Sequence, residues 1–85
     1  MIEISCHKFT AAQLKSSPRL RLASHISHRR VKLKMRQDEL AKRVGLSRTS
    51  VTNMESGKQG IIADELPRWA KALNWSVRQI AKGLE

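Results

Sequence analysis

The sequence has one cysteine, no tyrosine, one phenylalanine and two tryptophans in 85 residues. A single thiol, Cys6, closes no internal disulfide, which fits a reducing cytoplasm. Three aromatics, Phe9, Trp69 and Trp75, are too few for a platform on which single-stranded nucleic acid stacks. No apolar run approaches the ~20 residues a membrane helix needs, so no membrane partner of that kind is expected. The opening MIEISCHKFTAAQ has no basic stretch followed by an apolar core, and does not read as a secretory signal. Acidic residues are also scarce: 7, against 17 lysines and arginines, for a formal net charge of +10.

That excess repels itself in a compact chain and asks for a polyanionic partner. DNA or RNA is the commonest such partner, and an anionic membrane surface is the second candidate. Metal is not expected: Cys6-His7 and the His25, His28 pair do not supply the three or four converging ligands that a site requires. Serine, histidine and aspartate all occur, but without a nucleophile motif, so neither catalytic residues nor a cofactor are expected.

Along the chain, residues 1–16 form a separate zone, an N-terminal arm. Ile2 and Ile4 alternate with polar neighbours, as in a short edge strand. Thr10 before AAQLK has the form of a capped helical turn, and disorder is the remaining reading of this arm. Ser17-Pro18 starts a helix sharply, because serine caps orphan N–H groups and proline suits the first helical position. Leu22, Ile26 and Leu33 recur at helical spacing, giving a first helix over 17–34. Its outer face carries Arg19, Arg21, Arg29, Lys32 and Lys34. A short helix over 37–44 buries Leu40, Ala41 and Val44 and ends at Gly45. Ser47 opens a third helix running to about residue 55, with Val51 and Met54 inward. A glycine-bracketed loop, ESGKQG, separates it from a fourth helix over 63–73. That helix turns Leu66, Trp69, Ala70 and Leu73 inward and carries Pro67 near its first turn. Ser76 caps a last helix holding Val77, Ile80, Ala81 and Leu84. The second domain zone is thus 17–85, and the fold class is all-α.

Two short helices packed steeply through a tight turn need a small residue at their near-contact, a glycine at the turn and apolar inner faces. Counting Gln37 as one, Ala41, Gly45, Leu46, Val51 and Met54 fall at five, nine, ten, fifteen and eighteen. On these residues, RQDELAKRVGLSRTSVTNMESGK resembles the core of the Cro/phage-repressor (XRE-type) helix-turn-helix proteins. The likeness extends from about Leu22 to Leu84, and includes the Ile26, Arg30, Met35 spacing and the closing ALNWSVRQI.

The resemblance implies a five-helix repressor-like domain, here with a short N-terminal extension, whose third helix lies in the major groove of double-stranded DNA. It implies a homodimer on a two-fold symmetric operator, formed through the C-terminal helices. Residues at the start of the third helix point into the groove in this geometry. Arg48, Thr49, Ser50 and Asn53 are therefore the expected base contacts, since arginine reads guanine and asparagine reads adenine bidentately. Gln37, at a position that clamps a phosphate in the family, is expected on the DNA backbone together with Arg36, Ser47, Arg43 and Lys58; Arg29 and Lys34 are weaker candidates. Arg30 and Glu55 are given a structural role, paired in a salt bridge as in the family, and Ala41 and Gly45 hold the turn. Two departures stand out. Arg36 occupies the place of a serine or threonine cap, and IIADELP is an unusually apolar lead-in to the fourth helix. Ile61 or Ile62 would be exposed there unless a partner covers it, and Trp75, larger than the family's usual residue, suits a subunit contact.

These residues imply a transcriptional regulator in the cytoplasm, associated with the nucleoid, and a repressor acting as a dimer. The alternative is an antitoxin or adaptor that binds a partner protein and uses DNA binding to regulate itself. Non-specific coating of nucleic acid is a third reading, drawn from charge alone.

Overall fold

Capping chemistry sets most of the element boundaries in the structure, a computed structural model that describes residues 9–84. Among these residues every regular element is helical. The strand expected around Ile2 and Ile4 lies outside them. Thr10 and Gln13 cap α1 (Ala11–Ser16) reciprocally: Thr10 Oγ1 accepts from Gln13 N at 3.1 Å, and Gln13 Oε1 accepts from Thr10 N at 2.8 Å. Ser17 both ends α1 and opens α2 (Pro18–Lys32), where its hydroxyl accepts from Leu20 N at 3.3 Å. Pro18 then sits in the first turn, where a missing N–H costs nothing.

Helix α2 stops two residues before the expected end. Lys34 adopts a left-handed conformation, φ 57°, and Met35 N returns to Arg30 O at 3.1 Å. The motif helices follow as α3 (Gln37–Val44) and α4 (Arg48–Glu55). The expected helix over 63–73 divides into a 3-10 turn, Ala63–Glu65, and α5 (Leu66–Ala72). Pro67 explains the division: it supplies no N–H to a helix begun at 63, so the α-helix proper starts beside it. Ser76 caps α6 (Val77–Ala81), with Gln79 reciprocating, and a 3-10 turn, Lys82–Leu84, completes the described chain.

The core gathers one stripe from each of α2 to α6. Ile26, Leu40, Val51, Leu73 and Ile80 are wholly buried, with Leu22, Met35, Val44, Met54 and Trp69 packed around them. These are the five helices the sequence leads one to expect, and α1 adds a sixth that packs on α2.

Two arginines expected on the outer face of the first helix instead hold the fold together. Arg21 donates from Nη1 to Leu14 O at 2.5 Å and Lys15 O at 3.0 Å, and from Nη2 to Leu84 O at 2.8 Å. It thereby fastens both α1 and the last turn to α2. Arg29 donates to Leu73 O at 3.0 Å and lies 5.1 Å from the centre of the Trp75 ring. His25 stacks on that ring at 4.4 Å and donates from Nε2 to Gln79 O at 3.0 Å. The half-buried Trp75 thus spends its ring within the chain, on the surface that the sequence reading offered to a partner subunit.

Gly57 turns the chain out of α4 with φ 80°, and a β-carbon there would collide with the Leu20 side chain. Gly57→Ala is therefore expected to cost about 1–2 kcal/mol from the left-handed backbone alone, read as a lower midpoint in urea with an unchanged slope.

Candidate nucleic-acid interface

The turn between α3 and α4 is built from the smallest residues available. Gly45 has φ 88°, a conformation that α3 needs in order to stop and that glycine adopts without strain. The Ala41 carbonyl accepts from both Gly45 N at 2.8 Å and Leu46 N at 2.9 Å. Ala41 is buried, its methyl leaving room for the two helices to approach, and Leu46 packs onto the core from the turn. Ser47 starts α4: its hydroxyl accepts from Ser50 N at 3.1 Å and donates to Ser50 Oγ at 3.1 Å.

Arg36 precedes α3 without capping it, since a guanidinium has no acceptor to offer. The carboxylates of the first turn serve instead. Glu39 Oε1 accepts from Arg36 N at 3.4 Å, and Asp38 Oδ1 accepts from Glu39 N at 3.1 Å. Negative charge at this end also suits the helix dipole. The Arg36 guanidinium pairs with Asp38 at 3.1 Å in an exposed ion pair, of the kind worth about 0–1 kcal/mol.

Helix α4 separates its residues by face. Val51, Met54 and Glu55 are buried, whereas Arg48 and Thr49 are exposed and Asn53 is half-buried. With ~100° between successive residues, Thr49 and Asn53 share one side of the helix and Ser50 lies to its flank. Of the expected base contacts, Thr49 and Asn53 therefore come together on one side, Arg48 is exposed at the first position of the helix about 100° from Thr49, and the Ser50 hydroxyl is already bonded within the cap. Beyond α4, Lys58 N and Gln59 N both donate to Asn53 O, at 2.9 and 3.3 Å, and this folds the loop back and leaves Lys58 exposed on it.

The remaining residues expected on the DNA backbone divide. Ser47 is exposed at the start of α4. Arg43 is exposed on α3, but beside Arg68 and Lys71 of α5, in a groove of about 460 Å³. Gln37 is the surprise: its side chain is buried, at 2% exposure, and both ends of its amide are occupied inside the fold. A glutamine at the start of a helix carries no sequence signal that separates these two orientations.

Arg30 and Glu55 meet in a fully buried ion pair, each at 0% exposure, with Arg30 Nε to Glu55 Oε2 at 2.7 Å and Nη2 to Oε1 at 3.0 Å. Arg30 Nη1 also donates to Met35 O at 2.8 Å. The pair joins α2, the loop before α3 and the end of α4, so the one acidic residue of α4 is turned away from its open face and held by a counter-charge.

No group of three or more metal-ligating side chains occurs among the described residues, and no described helix is long and apolar enough to cross a membrane.

Three comparisons bear on this arrangement. No curated protein matches the chain. A solved structure, of a hypothetical transcription factor named NHTF from Neisseria, is similar with a TM-score of 0.75 and 25% identity, over 94% of this chain and 87% of that one. The helix-turn-helix family profile matches residues 26–80, the span from the buried face of α2 to the end of the core at α6. With the turn at Gly45, the paired α3 and α4 and the profile in agreement, the chain belongs to the Cro/C1-type helix-turn-helix family of DNA-binding transcription regulators.

Proposed function

We propose that the chain is a sequence-specific repressor that binds double-stranded DNA as a homodimer on a two-fold symmetric operator. The observation that carries this reading is the division of α4, with Val51, Met54 and Glu55 sealed in the core, Arg48 and Thr49 exposed and Asn53 half-buried. Arg48, Thr49 and Asn53 read base edges, and Ser50 lends its methylene or, after releasing Ser47, its hydroxyl. Ser47, Arg36, Lys58 and Arg43 meet phosphates. Gln37 does so through the main chain of the first turn of α3, where N–H groups lack helical acceptors. The dimer forms through the C-terminal helices, where Val77 and Leu84 are 44% and 42% exposed. The protein works in the cytoplasm, on the nucleoid, and represses by covering a promoter.

One observation favours a second reading, the antitoxin or adaptor. Ile62 is 64% exposed beside a cleft of about 360 Å³ lined by Leu22, Met54, Ile61, Leu66 and Leu84. A protein partner seated there would leave α4 free for autoregulation.

Selection of bound duplexes from a random pool tests the main reading. A motif with two-fold symmetry is expected. Arg48→Ala is expected to lose preference at one position per half-site, at a cost of about 1–3 kcal/mol. A pool that enriches no motif overturns specific recognition, and an unchanged motif removes Arg48 from the readers.

A further inference from the structure

Thr52 points its hydroxyl toward α3. Its Oγ1 donates to Gln37 Oε1 at 3.1 Å, and Gln37 Nε2 donates to Glu55 Oε1 at 3.1 Å. The direction of the amide follows from its neighbours. The Glu55 carboxylate, facing Arg30, only accepts, so Gln37 must offer it Nε2; Oε1 is then left toward Thr52, which has a proton to give. A continuous chain of bonds therefore runs from Thr52 through Gln37 and Glu55 to Arg30 and the Met35 carbonyl. Every link after Thr52 is buried. Thr52 is the place where the chain reaches the edge of the reading face, about 60° around the helix from Thr49 at ~100° per residue, and one residue before Asn53.

We infer that Thr52 is a positioning residue for base reading: it sets the roll of α4 against α3, and so the direction in which Arg48, Thr49 and Asn53 leave the helix. The inference rests on the proposal that α4 reads DNA. The hydrophobic contacts of Val51 and Met54 hold α4 down, but such contacts are non-directional. A small roll about the helix axis changes the aim of the outward side chains far more than it changes the buried area. A hydrogen bond with a required donor and a required acceptor resists that roll.

Thr52→Val keeps the shape of the side chain and deletes the donor; Thr52→Ser keeps the donor. Each is measured well below its melting temperature, on the duplex selected by the wild type and on a random duplex. Thr52→Val is expected to weaken the selected duplex about tenfold, the equivalent of one neutral hydrogen bond. It is also expected to flatten base preference in the repeated selection while leaving the random duplex and the salt slope unchanged, because phosphate contacts do not depend on roll to the same degree. Thr52→Ser restores both affinity and motif. Thr52→Ala, which also lacks the donor, gives the same flattening. Wild-type affinity and motif in Thr52→Val overturn the inference, as does an equal loss on the selected and random duplexes. A loss of melting temperature with an intact motif likewise assigns Thr52 to the scaffold alone. If the wild type itself selects no motif, it is the reading of α4 that fails.

Discussion

Replacing Glu55 with alanine is expected to cost about 3–5 kcal/mol, because it leaves the buried Arg30 guanidinium without its counter-charge. Both partners have 0% side-chain exposure, so water cannot take over the lost interactions without opening the core. The damage spreads along the network. Gln37 Nε2 loses its acceptor as well, since it shares Glu55 Oε1 with Arg30. A domain of this length holds a net stability of about 4–13 kcal/mol at ~0.05–0.15 kcal/mol per residue. At about 4–8 °C per kcal/mol, the melting temperature should fall by more than ~12 °C. A thermal melt followed by far-ultraviolet circular dichroism checks this, and an unchanged midpoint would remove the ion pair from the scaffold. Replacing both partners with apolar residues, as in Arg30→Met with Glu55→Leu, should recover part of the loss, since the charge is then gone from both sides. Recovery stays partial for a specific reason. The Met35 carbonyl and Gln37 Nε2 keep no partner, and each orphaned buried group costs about 1–3 kcal/mol.

The same network explains what the sequence made legible and what it did not. Local chemistry was readable. Thr10, Ser17, Ser47 and Ser76 cap the helices that follow them, and each bonds to a backbone N–H three residues on, within reach of any reader of the sequence. The turn was readable for the same reason, since Gly45 answers to the backbone of its own helix. The core stripes followed from 3.6-residue periodicity. The Arg30–Glu55 pair followed from the family resemblance, but the roles of Arg21 and Arg29 were not readable. Arg21 and Leu84 are 63 residues apart, and Arg29 and Leu73 are 44 apart, so neither guanidinium betrays its target by local spacing. Both counted as outer-face charges until the last helices came to rest on α2. Lys34 and Asn74 take left-handed conformations that glycine usually marks, and so two loop geometries carried no glycine signal. Gln37 is the sharpest case within the candidate site. Its burial depends on Thr52 and Glu55, fifteen and eighteen residues on, being brought over it by the packing of α4.

This separation bears on the charge. A net +10 suggests a surface given over to a polyanion. In the structure, Arg30, Arg21 and Arg29 serve the fold, by an ion pair in the first case and by bonds to carbonyls in the other two. The basic composition is thus partly architectural, and on the function proposed above the specificity of recognition would rest on the outward residues of α4 more than on total charge.

Trp69 carries the other large effect. It is 1% exposed and packs into the core from α5, against the side of α3 that faces away from solvent. Trp69→Ala should cost about 3–5 kcal/mol, the transfer energy of the indole plus the void it leaves in a core this small. The indole Nε1 finds no acceptor among the described residues. Its N–H has therefore given up water without replacement, a standing penalty of about 1–3 kcal/mol. Trp69→Phe removes that penalty together with part of the ring. The two terms oppose each other, and the net cost is expected to be well below that of alanine, because the void is smaller and the unpaired N–H is gone. Urea unfolding separates the two variants, with Trp75 left as a fluorescent reporter in both. Equal destabilisation by alanine and phenylalanine would mean that the N–H is satisfied in solution. A small loss for phenylalanine beside a large one for alanine would mean that Trp69 stabilises the back of the motif through its bulk, and that its polar atom is a cost the fold carries.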